Sequence, residues 1–229
     1  MLLHVPALLN ADELSRCQTA LRTAQWTDGR ETAGQQSAKS KNNRQLPQDS
    51  PACRELGEIV LKALGRNATF NSAVLPYRVS PPLFNRYDVG MSFGAHVDNA
   101  IRGIFAGGIH TRIRTDVSST LFLSDPDEYD GGELIMSEPG GEQAIKLPAG
   151  DLVLYATTVL HRVTPVTRGS RFAAFFWSQS MVADETRRRI LFDLDLQTIT
   201  LRERLGDHDP SVLGLTNIYH NLMRQWCIL

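Results

Sequence analysis

Asp130-Gly-Gly-Glu-Leu-Ile-Met-Ser137 and, a little further on, Pro148-Ala-Gly-Asp-Leu-Val-Leu-Tyr-Ala-Thr157 alternate turn residues with short apolar runs. Gly tolerates positive φ, and Pro and Asp favour turns, so Asp130-Gly131-Gly132 and Pro148 to Asp151 punctuate the chain. Glu133–Ser137, Gln143–Leu147 and Leu152–Thr157 then read as strands. The same texture spreads outward. Ala73–Val79, Leu83–Tyr87, Ala95–Asn99 and Val117–Leu123 precede it, and His161–Thr164 and Ser170–Trp177 follow. Strands so regularly spaced predict a sandwich or jelly-roll barrel rather than a parallel sheet.

Helical patterns flank this region on both sides. Asn10 with Glu13 forms a capping-box signal ahead of Leu14, Cys17, Leu21 and Ala24. Ser50-Pro51 opens a second helix carrying Leu56, Ile59, Val60 and Ala63 and ending near Gly65. Between them, Thr27 to Asp49 is polar, and connections this long are uncommon unless they serve as lids or binding loops or are disordered. After Ser178, Asp184 caps a helix with Ile190, Leu191, Leu194, Leu201 and Leu205. Asp209-Pro210 opens another with Leu215, Ile218, Leu222 and Trp226. The expected class is α+β with a mainly β core. It divides into an N-terminal helical segment over 1–69, a core over 70–180 and a C-terminal helical extension over 181–229.

The chain's 229 residues, 42% hydrophobic and 21% charged, are enough to bury a substantial core. With 24 basic against 25 acidic residues there is no electrostatic footprint for nucleic acid or an anionic membrane. No signal peptide or membrane span is expected. Cys17, Cys53 and Cys227 are odd in number and widely spaced. That argues against a disulfide framework and for reduced thiols in the cytoplasm.

Within the strand region, Phe93-Gly-Ala-His-Val-Asp98 places His96 and Asp98 one residue apart, and His161 and Arg171 follow much later. Residues two apart on a strand share a face, so His96 and Asp98 form a two-toothed claw. His161 can reach it from a second strand. A hairpin turning at Pro165 and Arg168-Gly169 would return Arg171 beside His161. With 6 His and 15 Asp, an isolated H-x-D arises by chance roughly 0.4 times per chain. The joint pattern in a β context is what carries weight. Two imidazoles and one carboxylate on one face of a metal are the facial triad of non-haem Fe(II) oxygenases, whose open positions take cosubstrate and O2. A forked, permanently charged arginine nearby points to a cosubstrate bearing a carboxylate.

Several motifs together resemble the prolyl 4-hydroxylase type of 2-oxoglutarate-dependent dioxygenase. They are Asn85-Arg-Tyr-Asp-Val-Gly90, Asp130-Gly-Gly-Glu-Leu134, Pro148-Ala-Gly-Asp-Leu-Val-Leu-Tyr155, and His161 followed by Arg171. The run Gln36-Ser-Ala-Lys-Ser-Lys-Asn-Asn-Arg-Gln45 narrows the resemblance to bacterial PKHD-type hydroxylases of the PiuC-like group, over nearly the whole chain. The resemblance implies a double-stranded β-helix (jelly-roll), Fe(II), 2-oxoglutarate as cosubstrate and L-ascorbate as reductant. It implies that His96, Asp98 and His161 ligate the metal and that Arg171 anchors the distal carboxylate of 2-oxoglutarate. Tyr87 is a second cosubstrate contact by the same resemblance; its alternative is a core aromatic. The implied reaction hydroxylates a substrate C–H bond with O2 while 2-oxoglutarate becomes succinate and CO2. The substrate is a small molecule or peptide that the sequence does not name.

Other features read more plainly. Gln36 to Gln45 is either a lid over the site or a solvated connector. Ala100 to Thr115 is either the mouth of the pocket, its arginines meeting an anionic substrate, or a surface hairpin, and composition favours the hairpin. Arg187-Arg188-Arg189 reads as a solvated, salt-bridged face. The apolar residues of the tail are core or a homo-oligomer contact. Two other functions compete: a hydrolase with Zn(II) on the same His-Asp-His set, and a non-catalytic jelly-roll sensor of iron or a small carboxylate.

Overall fold

The computed structural model describes residues 2–32, 40–106 and 109–228. Among these residues the chain forms two facing antiparallel sheets with helices at either end. Before the core come β1 (Leu2–Val5), α1 (Ala11–Thr23), β2 (Thr27–Asp28), β3 (Lys41–Asn42), β4 (Arg44–Gln45), α2 (Pro51–Arg66) and α3 (Ala68–Val74). The core begins with β5 (Pro76–Val79), β6 (Leu83–Asp88), β7 (Ser92–His96), β8 (Ile101–Ala106), β9 (Ile109–Arg114) and β10 (Val117–Phe122). It continues with β11 (Tyr129–Gly131), β12 (Leu134–Glu138), β13 (Gly141–Ile145), β14 (Leu152–Ala156), β15 (Leu160–Val163) and the long β16 (Val166–Ser180). Helices α4 (Glu185–Leu205) and α5 (Pro210–Trp226) close the chain.

The larger sheet has nine strands, in the order β1-β14-β10-β16-β6-β4-β2, with β5 and β11 also pairing β16. The smaller has five, β13-β12-β15-β7-β3, and β8 pairs only β9 in a separate hairpin. Side-chain alternation divides the burial. Leu121, Leu152, Leu154, Ala174 and Phe176 turn to one face of the large sheet, against Cys17, Leu21, Leu56, Val60 and Phe70 of the N-terminal helices. Phe122, Val153 and Val166 turn to the other face, against Leu134, Met136, Ile145 and Val163 of the small sheet. This double coverage is why every residue of β10 is buried. The arrangement is the jelly-roll core with flanking helices that the sequence predicts.

Caps define the helices. Asn10 accepts from Glu13 N at 2.9 Å while Glu13 returns to Asn10 N, and Asp184 accepts from Arg187 N at 2.8 Å. The tail packs onto the core where Leu75, Val182 and Leu191 meet Tyr219, Leu222, Met223 and Trp226. No helix among the described residues is long and apolar enough to cross a membrane.

Four local expectations need correction. Ala73–Val79 is not one strand. Asn67 caps α3 by accepting from Phe70 N, and Ala73 and Val74 complete its buried face, so extended chain starts at Pro76. Ala95–Asn99 is displaced, because β7 ends at His96 and Val97 to Asn99 leave the sheet. His161 and Arg171 do not share a hairpin, since β15 and β16 lie in different sheets. Arg188 is not part of a solvated face: it is 3% exposed and donates to the carbonyls of Val182 and Ala183, both at 2.8 Å. The Gln36 to Gln45 run lies partly outside the described residues. From Lys41 onward it is no solvated connector, because β3 pairs β7, β4 pairs β6, and Lys41, Asn43 and Gln45 are buried.

Gly131 illustrates how turn chemistry holds β11 to β16. It sits at φ +68°, and a Cβ there would lie 2.1 Å from the carbonyl oxygen of Pro165. Gly131→Ala is therefore expected to cost about 2–4 kcal/mol from left-handed strain and overpacking together, read as a lowered melting temperature.

Candidate metal centre

The register of the small sheet explains how two distant histidines meet. His161 of β15 pairs directly with His96 of β7. Directly opposed residues point to the same face with Cβ atoms about 5 Å apart, and the two rings lie with centroids 4.3 Å apart. Asp98, just beyond β7, is drawn towards the opposite sheet, where its Oδ2 accepts from Ser118 Oγ of β10 at 2.7 Å. The ligating atoms of His96, Asp98 and His161 all lie within 4.8 Å of one another, and His161 Nε2 stands 3.9 Å from Asp98 Oδ2. Donors on adjacent corners of a metal with bonds of ~2.1 Å stand roughly 3 Å apart, so the His161–Asp98 pair would close by about 1 Å and the widest pair by at most about 2 Å around a metal.

The tautomers suit a metal. Nδ1 of His96 is 2.8 Å from the Gly94 carbonyl, and Nδ1 of His161 is 2.9 Å from the Val159 carbonyl. A proton on each Nδ1 satisfies those oxygens and leaves both Nε2 lone pairs directed away from the backbone. Burial, followed by the neighbouring His161, holds the His96 imidazole down to about 4, so it stays neutral at pH 7. Phe93 stacks on His96 with centroids 3.7 Å apart, and Tyr155 meets His161 edge-on at 5.1 Å. These contacts fix both rings and keep water from their flanks.

The three residues border a cleft of about 760 Å³, open mouth included, which Arg171, Tyr87 and Tyr155 also line. Arg171 of β16 is paired in register with Tyr87 of β6. It is 1% exposed, with its guanidinium carbon 5.4 Å from the Tyr87 ring and 5.2 Å from that of Phe122. Its Nε is buried with no acceptor among the described residues. A buried cation with an unanswered donor costs free energy unless an anion arrives, and among the described residues the cleft's one carboxylate is Asp98. The cradle therefore fits a ligand carboxylate. Tyr87 is buried, and burial pushes its phenol up, keeping it a neutral donor. Burial, then the charge of Asp98, pushes the Tyr155 phenol up as well.

The structure thus brings together the residues singled out from the sequence and adds others. Ser118, Tyr155, Lys41, Arg102 and Trp177 also line the cleft. Arg102 reaches it from the β8–β9 hairpin, so that hairpin is more than surface. Ser118, Tyr155 and Trp177 fall on strands that the sequence predicts, and Lys41 and Arg102 fall in the two stretches it leaves open as lid and pocket mouth, but none of the five is singled out there. Their convergence depends on cross-sheet packing.

Two family models match the chain: the 2OG-Fe(II) oxygenase superfamily over residues 82–179 and the PKHD-type hydroxylase C-terminal domain over residues 185–227. The chain is 64% identical to a PKHD-type hydroxylase of Gluconacetobacter diazotrophicus and 63% identical to one of Gluconobacter oxydans, over 100% of each chain in both cases. Among solved structures, a prolyl-4-hydroxylase of Pseudomonas putida shares the fold at 19% identity with a TM-score of 0.53, over 78% of this chain and 92% of that one. An Fe(II)- and 2-oxoglutarate-dependent dioxygenase that hydroxylates a substrate C–H bond is what these relationships and the site's make-up describe. The chain belongs to the PKHD-type hydroxylases of the 2OG-Fe(II) oxygenase superfamily.

Proposed function

We propose that His96, Asp98 and His161 hold the Fe(II), and that Arg171, with Tyr87 beside it, receives the distal carboxylate of 2-oxoglutarate. The observation that carries this reading is the pairing of two features in one cleft. Three ligating atoms converge, and a buried arginine nearby has an unanswered Nε. Bound there, the metal with 2-oxoglutarate and O2 supplies the oxidation that places one oxygen atom in a substrate C–H bond, and the cosubstrate leaves as succinate and CO2. L-ascorbate is the reductant assigned on family resemblance.

The chain's own residues supply geometry and electrostatics. The Gly94 and Val159 carbonyls hold the Nδ1 protons, so each imidazole offers Nε2. Ser118 donates to Asp98 Oδ2 and limits the rotation of the carboxylate that faces the two histidines. Arg171 presents its charge between two aromatic rings, where low polarity strengthens a pair with a carboxylate. Ser118→Ala is expected to weaken metal binding about 10–100-fold, measured by titration of metal-free protein.

Anaerobic addition of Fe(II) and then 2-oxoglutarate to metal-free protein tests the assignment. A weak visible metal-to-ligand charge-transfer band is expected, and it should be lost in His96→Ala. A well-folded protein that gives no band would overturn the reading.

A further inference from the structure

Asp98 faces the two histidines from a stretch of chain that no strand supports. β7 ends at His96, and residues 97–100 belong to neither sheet. Val97, Asn99 and Ala100 are exposed. Backbone of this kind keeps a freedom that binding a metal has to remove, and a contact that removes it beforehand strengthens binding.

Thr115 makes such a contact. It is 5% exposed and stands between β9 and β10. Its Oγ1 donates to the Asn99 carbonyl at 2.5 Å, and its backbone N donates to the Ala100 carbonyl at 2.9 Å. The backbone bond only continues the hairpin ladder, in which Ile101 pairs with Arg114. The hydroxyl bond is additional to that ladder and reaches the residue next to Asp98. Three positions after Thr115, Ser118 Oγ donates to Asp98 Oδ2 at 2.7 Å. One segment therefore grips Asp98 twice, Ser118 by its carboxylate and Thr115 by the backbone that follows it.

The grip is itself anchored. Asp116 accepts from Arg114 Nε at 2.6 Å, from Arg114 Nη2 at 2.9 Å and from the backbone N of Ser180 at 2.8 Å. Its own N donates to the Ser178 carbonyl at 3.0 Å, and Arg114 Nη2 donates to the Ser180 carbonyl at 3.1 Å. These bonds fasten residues 114–116 to the end of β16 in the large sheet. Thr115 stands between two fastened neighbours, so its hydroxyl has a fixed place. The large sheet thereby sets where Asp98 lies relative to His96 and His161 of the small one.

We propose that Thr115 is a positioning residue for the metal centre and acts through Asp98, its hydroxyl holding the backbone beyond the carboxylate in the ligating arrangement. This rests on the metal assignment above. The test uses full-length wild type, Thr115→Val, which keeps the N–H and loses the hydroxyl, and Thr115→Ser, which keeps both donors. Each metal-free protein is titrated anaerobically with Fe(II) at saturating 2-oxoglutarate, followed by the charge-transfer band, and its melting is recorded without metal. Thr115→Val is expected to raise the Fe(II) dissociation constant about tenfold, at the lower end of outer-shell changes, and Thr115→Ser should recover most of that loss. A threonine with a structural role alone would lower the melting temperature and leave Fe(II) affinity unchanged. That result, or a Thr115→Ser protein as weak as Thr115→Val, refutes the proposal. If Thr115→Val does not fold, hydrogen exchange at the Thr115 amide of wild type decides. Zn(II), used as a diamagnetic probe, should slow that exchange about tenfold, because coupling between two sites is reciprocal. An unchanged exchange rate counts against Thr115. A charge-transfer band missing from wild type would instead bring down the metal assignment.

Discussion

Arg171→Ala is expected to raise the 2-oxoglutarate concentration needed for half-saturation by on the order of 10²–10³-fold, with Fe(II) affinity changed only a few-fold. A buried, hydrogen-bonded charge pair that loses one partner typically costs about 2–5 kcal/mol, and ~1.4 kcal/mol is tenfold in affinity. Arg171 sits at the upper part of that range because it is 1% exposed and bracketed by the Tyr87 and Phe122 rings, so water compensates poorly for its loss. Fold stability should move less than cosubstrate affinity, since the truncation removes a cation whose Nε already lacks an acceptor among the described residues. Arg171→Lys keeps the charge but loses the fork, and should fall between wild type and Arg171→Ala. Titrating the anaerobic charge-transfer band with 2-oxoglutarate measures all three proteins. Unchanged half-saturation in Arg171→Ala would remove the residue from its assigned role.

The sequence was legible where the physics is local. Turn residues at Asp130–Gly132 and Pro148–Asp151, caps at Asn10, Ser50 and Asp184, and strand-length apolar runs mark elements that the structure contains. His96, Asp98 and His161 could be singled out because H-x-D is a short-range pattern and His161 follows on another strand, and the structure brings their ligating atoms within 4.8 Å of one another. What escaped was set by contacts between distant segments. Local propensity in Ala73–Val74 yields to the Asn67 cap and helix packing. The departure of Asp98 from β7 depends on Ser118 across the sandwich. Lys41 and Arg102 lie in stretches that the sequence left open as lid or pocket mouth, and periodicity could not decide between readings, because one comes from a two-residue strand in a polar run and the other from a hairpin outside both sheets. Arg188 looked like one charge in a basic run, but its surroundings are the carbonyls of Val182 and Ala183. Periodicity reports which face a residue occupies and says little about what faces it.

Asp98→Ala should abolish 2-oxoglutarate decarboxylation, measured as succinate formed, while the protein stays folded. Under the proposed metal assignment, Asp98 supplies the only negative charge of the three-residue set, so its loss would remove both a donor atom and the partial neutralisation of the metal. The effect should exceed the ~10–100-fold of an outer-shell change such as Ser118→Ala. Retention of the fold follows from position: Asp98 lies beyond the end of β7 and outside the hydrophobic clusters, and its side chain holds one hydrogen bond from Ser118. Losing one such bond costs about 1–2 kcal/mol, a few degrees of melting temperature for a chain this size. Asp98→Asn separates the two contributions, since it keeps an acceptor for Ser118 and drops the charge. Loss of turnover in both variants with near-native melting would identify charge and ligation as the role of Asp98. Turnover retained in Asp98→Asn would make it a positioning residue that acts through geometry, and full activity in Asp98→Ala would remove it from the metal set altogether.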